Sequence, residues 1–181
     1  MTEKKLTGKK ILMVICPENF RDEELYTPKE IFEQEGAEVK IAAQRLGTAH
    51  GMLGRTAEPD LLISQANAGD YDAVVVVGGM GSPTYLWADG QLHALLREAE
   101  QRKKVIGAIC LSGAVLARAG LLRGRRATVY ATDESLKELS QGGALYTGQD
   151  VTADGKIITA SGPHAAAQFA HAIVSELVAR S

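Results

Sequence analysis

The sequence predicts an α/β protein with a mostly parallel sheet and helices on both faces of that sheet. Strand-like and helix-like segments alternate along the 181 residues, which favours right-handed crossover connections between parallel strands. Several strand-like segments are continuous apolar runs, as expected for strands buried on both faces. The most apolar run has four consecutive valines at residues 74–77 and ends on two glycines.

The first third of the chain carries signals for two strands and one helix. Residues 11–16 form an apolar run that predicts a buried strand. Residues 22–36 predict a helix that either Asp22 or Thr27 could cap. Pro28 suits a first helical turn, and Gly36 is a common type of helix stop. Residues 37–43 alternate in polarity and predict a second strand. The polar stretch 47–59 predicts a loop with short strands.

The middle of the chain repeats this alternation around two strongly apolar strands. Residues 71–77 and 105–109 are predicted to be buried strands. We expect a loop at 81–87 and a helix at 91–102 between them, since the latter has leucines at helical spacing. A further helix is predicted at 111–119, directly after the second of these strands.

The last third predicts shorter elements and a closing helix. We expect a short strand at 126–130 and a short helix at 135–139. Residues 145–155 predict a strand and then a hairpin turn at an Asp-Gly pair. Residues 156–160 predict a further strand, and residues 165–179 predict the final helix.

Composition restricts the function classes. The length suits a single domain over 1–181, with a core of about 9–178. A formal net charge of −2 and an aromatic content of 5% argue against nucleic-acid partners. No signal peptide or membrane span is recognisable, so we expect a cytoplasmic protein with no membrane partner. Two cysteines are too few for a disulfide scaffold or a four-ligand zinc site. We expect no metal or cofactor.

Four segments follow directly after predicted strands. In parallel sheets, ligands bind outside the carboxyl ends of the strands, so these segments are the candidates for a functional site. They are Cys16, Gly78-Gly79, Cys110 and Ser161-Gly162-Pro163.

Cys110 occupies the most informative position, because it separates a buried strand from a helix. A residue there lies on a sharp turn with its side chain projecting at the edge of the sheet, as in a nucleophile elbow. The following helix N-terminus should lower the pKa of the thiol below its free value of about 8.5. The alternative is that Cys110 is simply a small buried side chain. Similarly, Gly78-Gly79 is either a tight turn or a source of backbone amides for an oxyanion hole.

Several of these segments together resemble the ThiJ/PfpI superfamily. Ala108-Ile109-Cys110 with the helix after it, and the glycine pair after the valine strand, are similar to that family. Residues 20–28, Phe-Arg-Asp-Glu-Glu-Leu-Tyr-Thr-Pro, resemble its acidic motif Phe-Glu-Asp-x-Glu-Leu-x-x-Pro. Ser161-Gly162-Pro163 and the final helix resemble the parkinsonism-associated branch. The resemblance spans residues 9–178.

The resemblance implies a flavodoxin-like three-layer sandwich that forms homodimers or larger homo-oligomers. It implies that Cys110 is the reactive cysteine and that Glu24, as a protonated carboxyl, donates a hydrogen bond to its sulfur. The amides of Gly79 and Leu111 would form the oxyanion hole. Four further residues would line the pocket: Gly78, Ser112, Gly162 and Pro163.

The sequence departs from the family pattern in its histidines. The protease-like branch has a histidine directly after the cysteine, where this chain has Leu111, so an adjacent Cys-His dyad is absent. The loop after the glycine pair, residues 80–85, also lacks the acid of that branch. The more distant histidine of the parkinsonism-associated branch would fall near residues 130–132, where none occurs. His164 is the candidate replacement base; the alternative is that it caps or solvates the last helix.

Three functions follow from these residues. The first is a cofactor-free enzyme in which Cys110 attacks a small reactive carbonyl, with glyoxalase-like or deglycase-like chemistry. The second is a non-catalytic stress or chaperone protein that senses redox state through oxidation of Cys110. The third is an intracellular cysteine peptidase or amidase, which Leu111 disfavours. Cys16 is either a resolving thiol for Cys110 or a buried structural residue.

Overall fold

The fold is built around one seven-stranded sheet. The computed structural model describes residues 3–179, so positions 1–2 and 180–181 of the predicted domain lie outside the described residues. The strands are β1 (Lys10–Val14), β2 (Glu18–Phe20), β3 (Glu38–Ala43), β4 (Ala49–Gly51), β5 (Thr56–Ala57), β6 (Leu61–Leu62), β7 (Ala73–Val76), β8 (Val105–Ile109), β9 (Arg126–Ala127), β10 (Leu145–Tyr146), β11 (Val151–Asp154) and β12 (Ile157–Ala160). The α-helices are α1 (Asp22–Gln34), α2 (Ser82–Tyr85), α3 (Gly90–Gln101), α4 (Gly113–Arg118), α5 (Asp133–Gln141) and α6 (Ala166–Ala179).

The strands of the main sheet run in the order β11-β12-β8-β7-β1-β3-β6. Every neighbouring pair is parallel except β11 and β12, which form the predicted antiparallel hairpin. The register aligns the carboxyl ends of the central strands, since Val14 pairs with Val76, Val76 with Ala108, and Ala108 with Thr159. The prediction of a mostly parallel sheet is confirmed.

Helices cover both faces of this sheet. α1 packs against α6, and α6 contacts β8 and β12. On the other face α3 contacts β7, β8 and α4, and α4 packs against α5. Close packing of α6 explains Gly107, because a Cβ there would lie 2.9 Å from Ile173 and Phe169. The three-layer, flavodoxin-like architecture is therefore confirmed. No helix of residues 3–179 has the length and apolar composition that crossing a membrane requires.

The predicted strand at 126–130 is shorter than expected. Only Arg126–Ala127 form β9, which pairs with β10 outside the main sheet. The Thr128 amide instead donates to Thr159 Oγ1 at 2.9 Å, and the Tyr130 amide donates to the Cys110 carbonyl at 3.1 Å. These contacts tie the segment to the sheet edge at Cys110 rather than continuing a ladder.

Two short elements near the glycine pair were not predicted from the sequence, and neither was the edge strand β6 of the main sheet. β2 pairs with β4 in a small separate sheet with β5. The predicted loop at 81–87 contains α2, a single turn in which Pro83 stands in the first positions, where its missing N–H costs no helical hydrogen bond. Both elements lie next to the glycine pair, so they contribute to the shape of the candidate site.

Candidate active site

The carboxyl ends of four central strands bring the predicted site segments to one edge of the sheet. The paired residues at these strand ends are Val14, Val76, Ala108 and Thr159. The residue two positions after each of them is a candidate site residue: Cys16, Gly78, Cys110 and Ser161, respectively. Each of these strands therefore delivers its following residue to the same region. The site is the product of this register.

Cys110 lies at a sharp turn between β8 and the helix that follows. Its φ of 62° is in the left-handed region, which non-glycine residues adopt at a cost of about 1–3 kcal/mol. A 3-10 turn, Cys110–Ser112, begins at this residue and leads into α4. The side chain is 7% exposed. This geometry is that of a nucleophile elbow with the sulfur at the floor of a cleft.

Backbone hydrogen bonds hold this turn. The Tyr130 amide donates to the carbonyl oxygen of Cys110 at 3.1 Å, which fixes the peptide plane that also carries the Leu111 N–H. The indole Nε1 of Trp87 donates to the Leu111 carbonyl at 2.9 Å. The Leu111 amide is thereby oriented from both sides, and it hydrogen-bonds to the Cys110 sulfur.

Ser112 anchors the elbow from behind rather than lining the pocket. Its hydroxyl is completely buried and donates to the Val77 carbonyl at 2.7 Å. The hydroxyl of Ser82 lies 2.8 Å from the hydroxyl oxygen of Ser112, so the two serines link α2 and the elbow to the end of β7. A buried hydroxyl without these partners would cost about 1–3 kcal/mol.

Glu24 lies beside Cys110, in the first turn of α1, with none of its surface exposed. Its Oε1 accepts a hydrogen bond from the Gly78 amide at 3.1 Å. Gly78 is required for this arrangement, because a Cβ there would lie 2.7 Å from both Glu24 Oε1 and Cys110 Cβ. Among the described residues, Glu24 Oε2 is buried without a well-formed hydrogen bond. That oxygen is where a proton would reside.

The pKa of Glu24 is raised from 4.5 to about 8, chiefly by burial. Contacts with the Cys110 thiol and the Gly78 amide lower it by less than burial raises it. Glu24 is therefore neutral at pH 7. A neutral carboxyl has an O–H to donate, and the Cys110 sulfur is the neighbouring acceptor, as the family resemblance implies.

Burial, followed by the charge of Glu24, raises the pKa of the Cys110 thiol from 9.0 to about 12. The prediction of a lowered pKa is wrong, because the amides of Leu111 and Gly79 lower it by less than desolvation raises it. Since the two groups interact strongly, they titrate as a pair. The pair loses its first proton near pH 8, and it loses the second proton only at a much higher pH.

Gly79 supplies the second amide at the sulfur. Its φ of 116° is accessible to glycine and strained for other residues. A Cβ at this position would also collide with the Asn19 carbonyl and lie 2.5 Å from the Arg21 amide nitrogen. Gly79 and Leu111 therefore both present N–H groups at Cys110, which is the arrangement predicted for an oxyanion hole.

A cleft of about 460 Å³ opens over the sulfur. Its lining residues are Arg21, Met52, Gly79, Met80, Cys110, Leu111, Tyr130, Thr132 and Pro163. Of the predicted pocket residues, Pro163 lines the cleft, whereas Gly78 and Ser112 support it from behind. Gly162 packs near the Tyr130 ring, since a Cβ there would lie 3.4 Å from it.

Five cleft residues were not predicted from the sequence: Arg21, Met52, Met80, Tyr130 and Thr132. Arg21 had a signal, because it replaces the first glutamate of the family's acidic motif. Tyr130 and Thr132 fall in the segment where the family places a histidine. The two methionines come from loops and had no sequence signal.

His164, the predicted base for Cys110, contacts Asp150 and Ser161 instead. Its Nε2 lies 3.1 Å from Asp150 Oδ1 and 3.5 Å from the Ser161 hydroxyl, and its side chain is 63% exposed. It does not line the cleft. The 3-10 turn Pro163–Ala165 puts the proline against the cleft and the next side chain beside Asp150. Among the contacts of residues 3–179, none gives His164 the role of a base for Cys110.

Cys16 is completely buried, and both cysteines are free. Burial raises the pKa of its thiol to about 12, and the charge of Glu24 contributes to the rise. Its sulfur lies 3.2 Å from the place where a Cβ on Gly81 would be. These surroundings are those of a packed structural cysteine. Within residues 3–179, no group of three or more histidine, cysteine or acidic side chains is arranged to hold a metal ion.

Fold and site together define a class: an α/β sandwich protein with a cysteine on a nucleophile elbow, a neutral buried carboxyl at its sulfur and two backbone amides beside it. The chain belongs to the DJ-1/PfpI family, whose model matches residues 9–176. It is 46% identical over 160 residues to an uncharacterized protein of Methanocaldococcus jannaschii, covering 88% of this chain and 78% of that protein.

Two further comparisons agree. The chain is 29% identical over 152 residues to the protein named deglycase PfpI of Pyrococcus furiosus, which covers 84% of this chain and 90% of that protein. It is similar to the crystal structure of a ThiJ/PfpI domain protein from Brachyspira murdochii, with a TM-score of 0.91 and 36% identity. That match covers 96% of this chain and 100% of the other.

Proposed function

We propose that this protein is a cofactor-free enzyme of the DJ-1/PfpI type in which Cys110 attacks small reactive carbonyls, with glyoxalase-like or deglycase-like chemistry. The observation that carries the proposal is the neutral, buried Glu24 carboxyl beside a sulfur that also faces two backbone amides. Further support comes from the relative named a deglycase. An α-oxoaldehyde such as methylglyoxal, or its adduct on an amine or thiol, is the proposed substrate class.

The first step uses the pair after it has lost one proton. That proton comes from Glu24, whose pKa of about 8 lies below the value of about 12 of the Cys110 thiol. Transfer of the thiol proton to the Glu24 carboxylate then gives the reactive minor form, with Glu24 protonated and Cys110 as thiolate. The thiolate adds to the aldehyde carbon, so a C–S bond forms while the C=O π electrons move to oxygen. The amides of Leu111 and Gly79 stabilise that oxyanion, a type of interaction worth about 10²–10³-fold in rate. Glu24 then gives its proton to the oxyanion, which completes a thiohemiacetal.

The second step is an internal oxidation and reduction. The Glu24 carboxylate takes the proton from the former aldehyde carbon, giving an enediolate with the negative charge on the second oxygen. The hydroxyl proton on the first carbon moves to that second oxygen, and Glu24 returns its proton to the second carbon. The first carbon is oxidised to a thioester and the second is reduced to an alcohol. Water hydrolyses the thioester, which releases the 2-hydroxy acid and restores Cys110. The sum is one α-oxoaldehyde plus one water giving one 2-hydroxy acid, so no external oxidant is needed.

Lactate formation from methylglyoxal tests the proposal. We expect turnover by the wild type, none by Cys110→Ala, and a loss of about 10²–10⁴-fold in Glu24→Gln, as for removal of a proton-transfer group. Cys16→Ala is the matched control, since it removes the other buried thiol; it should keep activity of the wild-type order. Absence of wild-type turnover above buffer would contradict the proposal.

The redox-sensing alternative uses the same two residues. A protonated Glu24 carboxyl can donate a hydrogen bond to an oxygen of a cysteine sulfinic acid, so peroxide treatment should stop at that stage on Cys110. Intact-protein mass spectrometry with peptide mapping would show it. Oxidation to sulfinate in a wild type without any turnover would favour this alternative over the enzyme.

A peptidase or amidase has less support, because no histidine among the described residues lines the cleft. Two expectations from the sequence stay predictions: a homodimeric or larger homo-oligomeric assembly, and a cytoplasmic location. Light scattering on the purified chain tests the first, and cell fractionation tests the second.

A further inference from the structure

We propose that Arg21 makes the cleft selective for carbonyl substrates that carry an anionic group, with a carboxylate as the best match. This inference rests on the proposed function in one respect: the carbonyl substrate is taken to react at Cys110. It adds the charge that such a compound carries and names the residue that recognises it.

The backbone of Arg21 is held beside the oxyanion donors. Its amide donates to the Gly78 carbonyl at 3.1 Å. A Cβ on Gly79 would lie 2.5 Å from the same amide nitrogen, so the Arg21 backbone and the Gly79 turn are in direct contact. Arg21 is therefore placed within the same turn assembly that surrounds the Cys110 sulfur.

Of the described residues that line the cleft, Arg21 is the only one with a permanently charged side chain. The other residues that line the cleft are uncharged or are Cys110 itself: Gly79, Leu111, Met52, Met80, Tyr130, Thr132 and Pro163. The hydrogen bond to Glu23 is the main cause of the raised pKa of the Arg21 guanidinium, and the charges of Glu24 and Cys110, when these groups are ionised, raise it less. A single cation in a largely apolar cleft favours ligands with one negative charge placed near the reacting carbon.

The guanidinium keeps donors free for a ligand. Its Nε and one Nη contact Glu23, at 3.0 and 2.9 Å, in a pair whose side chains are 28% and 37% exposed. Among the described residues no partner is found for the other Nη. A guanidinium has five N–H donors, and a planar fork of them matches a carboxylate. Because a partly exposed ion pair contributes little, Glu23 is a weak competitor for Arg21.

Alkylation of Cys110 by iodoacetate and by iodoacetamide tests this inference without turnover. The two reagents have the same reacting carbon and nearly the same size, and they differ by one negative charge. The ratio of their rate constants cancels the nucleophilicity and the protonation state of the thiol. Peptide mass spectrometry separates labelling at Cys110 from labelling at Cys16.

We expect Arg21→Gln to lower the iodoacetate-to-iodoacetamide ratio by about tenfold, the lower end for a hydrogen bond to a charged group. Glu23→Gln should raise the ratio, because it removes the competitor for the guanidinium. Arg102→Gln is the control, since Arg102 forms a more exposed pair with Glu98 of α3, outside the cleft. Its ratio should equal that of the wild type. An unchanged ratio in Arg21→Gln would overturn the inference.

A turnover arm separates this inference from the proposed function. The probes are 4,5-dioxopentanoate, an α-oxoaldehyde with a carboxylate, and its neutral methyl ester. We expect Arg21→Gln to lower kcat/KM for the acid by about tenfold more than for the ester. A wild type that turns over neither probe, with an alkylation ratio that still falls in Arg21→Gln, would refute the proposed function and leave the anion selectivity standing. Turnover of both probes with an equal loss in Arg21→Gln would refute the selectivity alone.

Discussion

Replacing Glu24 by glutamine should change how the stability of the protein depends on pH. The native carboxyl titrates at about 8 instead of 4.5 because it is buried. Between these values the unfolded chain has released the proton and the folded chain still holds it. Since the folded state then binds more protons, the free energy of unfolding falls as the pH rises.

The size of this effect follows from the pKa. A rise from 4.5 to about 8 corresponds to at most about 5 kcal/mol of lost stability, at 1.36 kcal/mol per pH unit, once the pH exceeds 8. Glutamine has no proton to lose, and its side-chain oxygen can still accept the hydrogen bond from Gly78. The variant should therefore lack this contribution, and its curve of stability against pH should be flatter between pH 5 and 8.

Urea unfolding at several pH values between 5 and 8 measures this difference. Any constant effect of the substitution on packing cancels when the pH 8 value is subtracted from the pH 5 value. The pKa values of both thiols are raised from 9.0 to about 12. Ionisation of the thiols therefore lowers the free energy of unfolding only above the measured range of pH 5 to 8. Glu23→Gln is the control, because that side chain is partly exposed. Parallel curves for the wild type and Glu24→Gln would refute the reasoning about a buried, neutral Glu24.

Further predictions concern the elbow and its supports. Gly78→Ala should lower kcat/KM by at least tenfold and the free energy of unfolding by about 1–3 kcal/mol. The reason is that the added Cβ would lie only 2.7 Å from Glu24 Oε1 and from Cys110 Cβ. Wild-type kinetics in this variant would contradict such a close approach. Trp87→Phe removes the hydrogen bond to the Leu111 carbonyl. It should lower the free energy of unfolding by about 1 kcal/mol and lower kcat severalfold. A drop in stability with unchanged kcat would mean that the indole does not orient the Leu111 amide. Iodoacetamide labelling of Cys110 should keep rising above pH 8, as expected from its raised pKa, and should exceed labelling of the fully buried Cys16 at every pH; a plateau below pH 7 would show a lowered pKa instead.

The site could be predicted from the sequence where a local pattern determines geometry. Cys110 follows an apolar strand and precedes small residues, and that pattern alone places it at a strand-to-helix turn. Gly78-Gly79 ends the valine strand in the same way. Glu24 was assigned by the family motif, since three adjacent acidic residues at a helix start do not reveal which of them is buried.

Several features of the site had no such signal because they depend on surroundings distant in sequence. The pKa of Cys110 was expected to fall on account of the helix N-terminus, yet desolvation and Glu24, 86 positions away in the chain, raise it. Met52 and Met80 reach the cleft from separate loops. His164 stands at the correct strand end, but the turn after Gly162 leaves it beside Asp150.

The sequence by itself determined the order of strands and helices, the parallel sheet and the elbow at Cys110, because hydrophobic period and turn residues act over short stretches of chain. Only the tertiary structure decided which groups meet at the sulfur and how they ionise. Strand register brings Gly78 and Cys110 to one edge, packing buries the Glu24 carboxyl against them, and the Gly79 turn contacts the backbone of Arg21 beside the cleft. Burial and electrostatic energies depend on distances in space, which one-dimensional patterns do not contain.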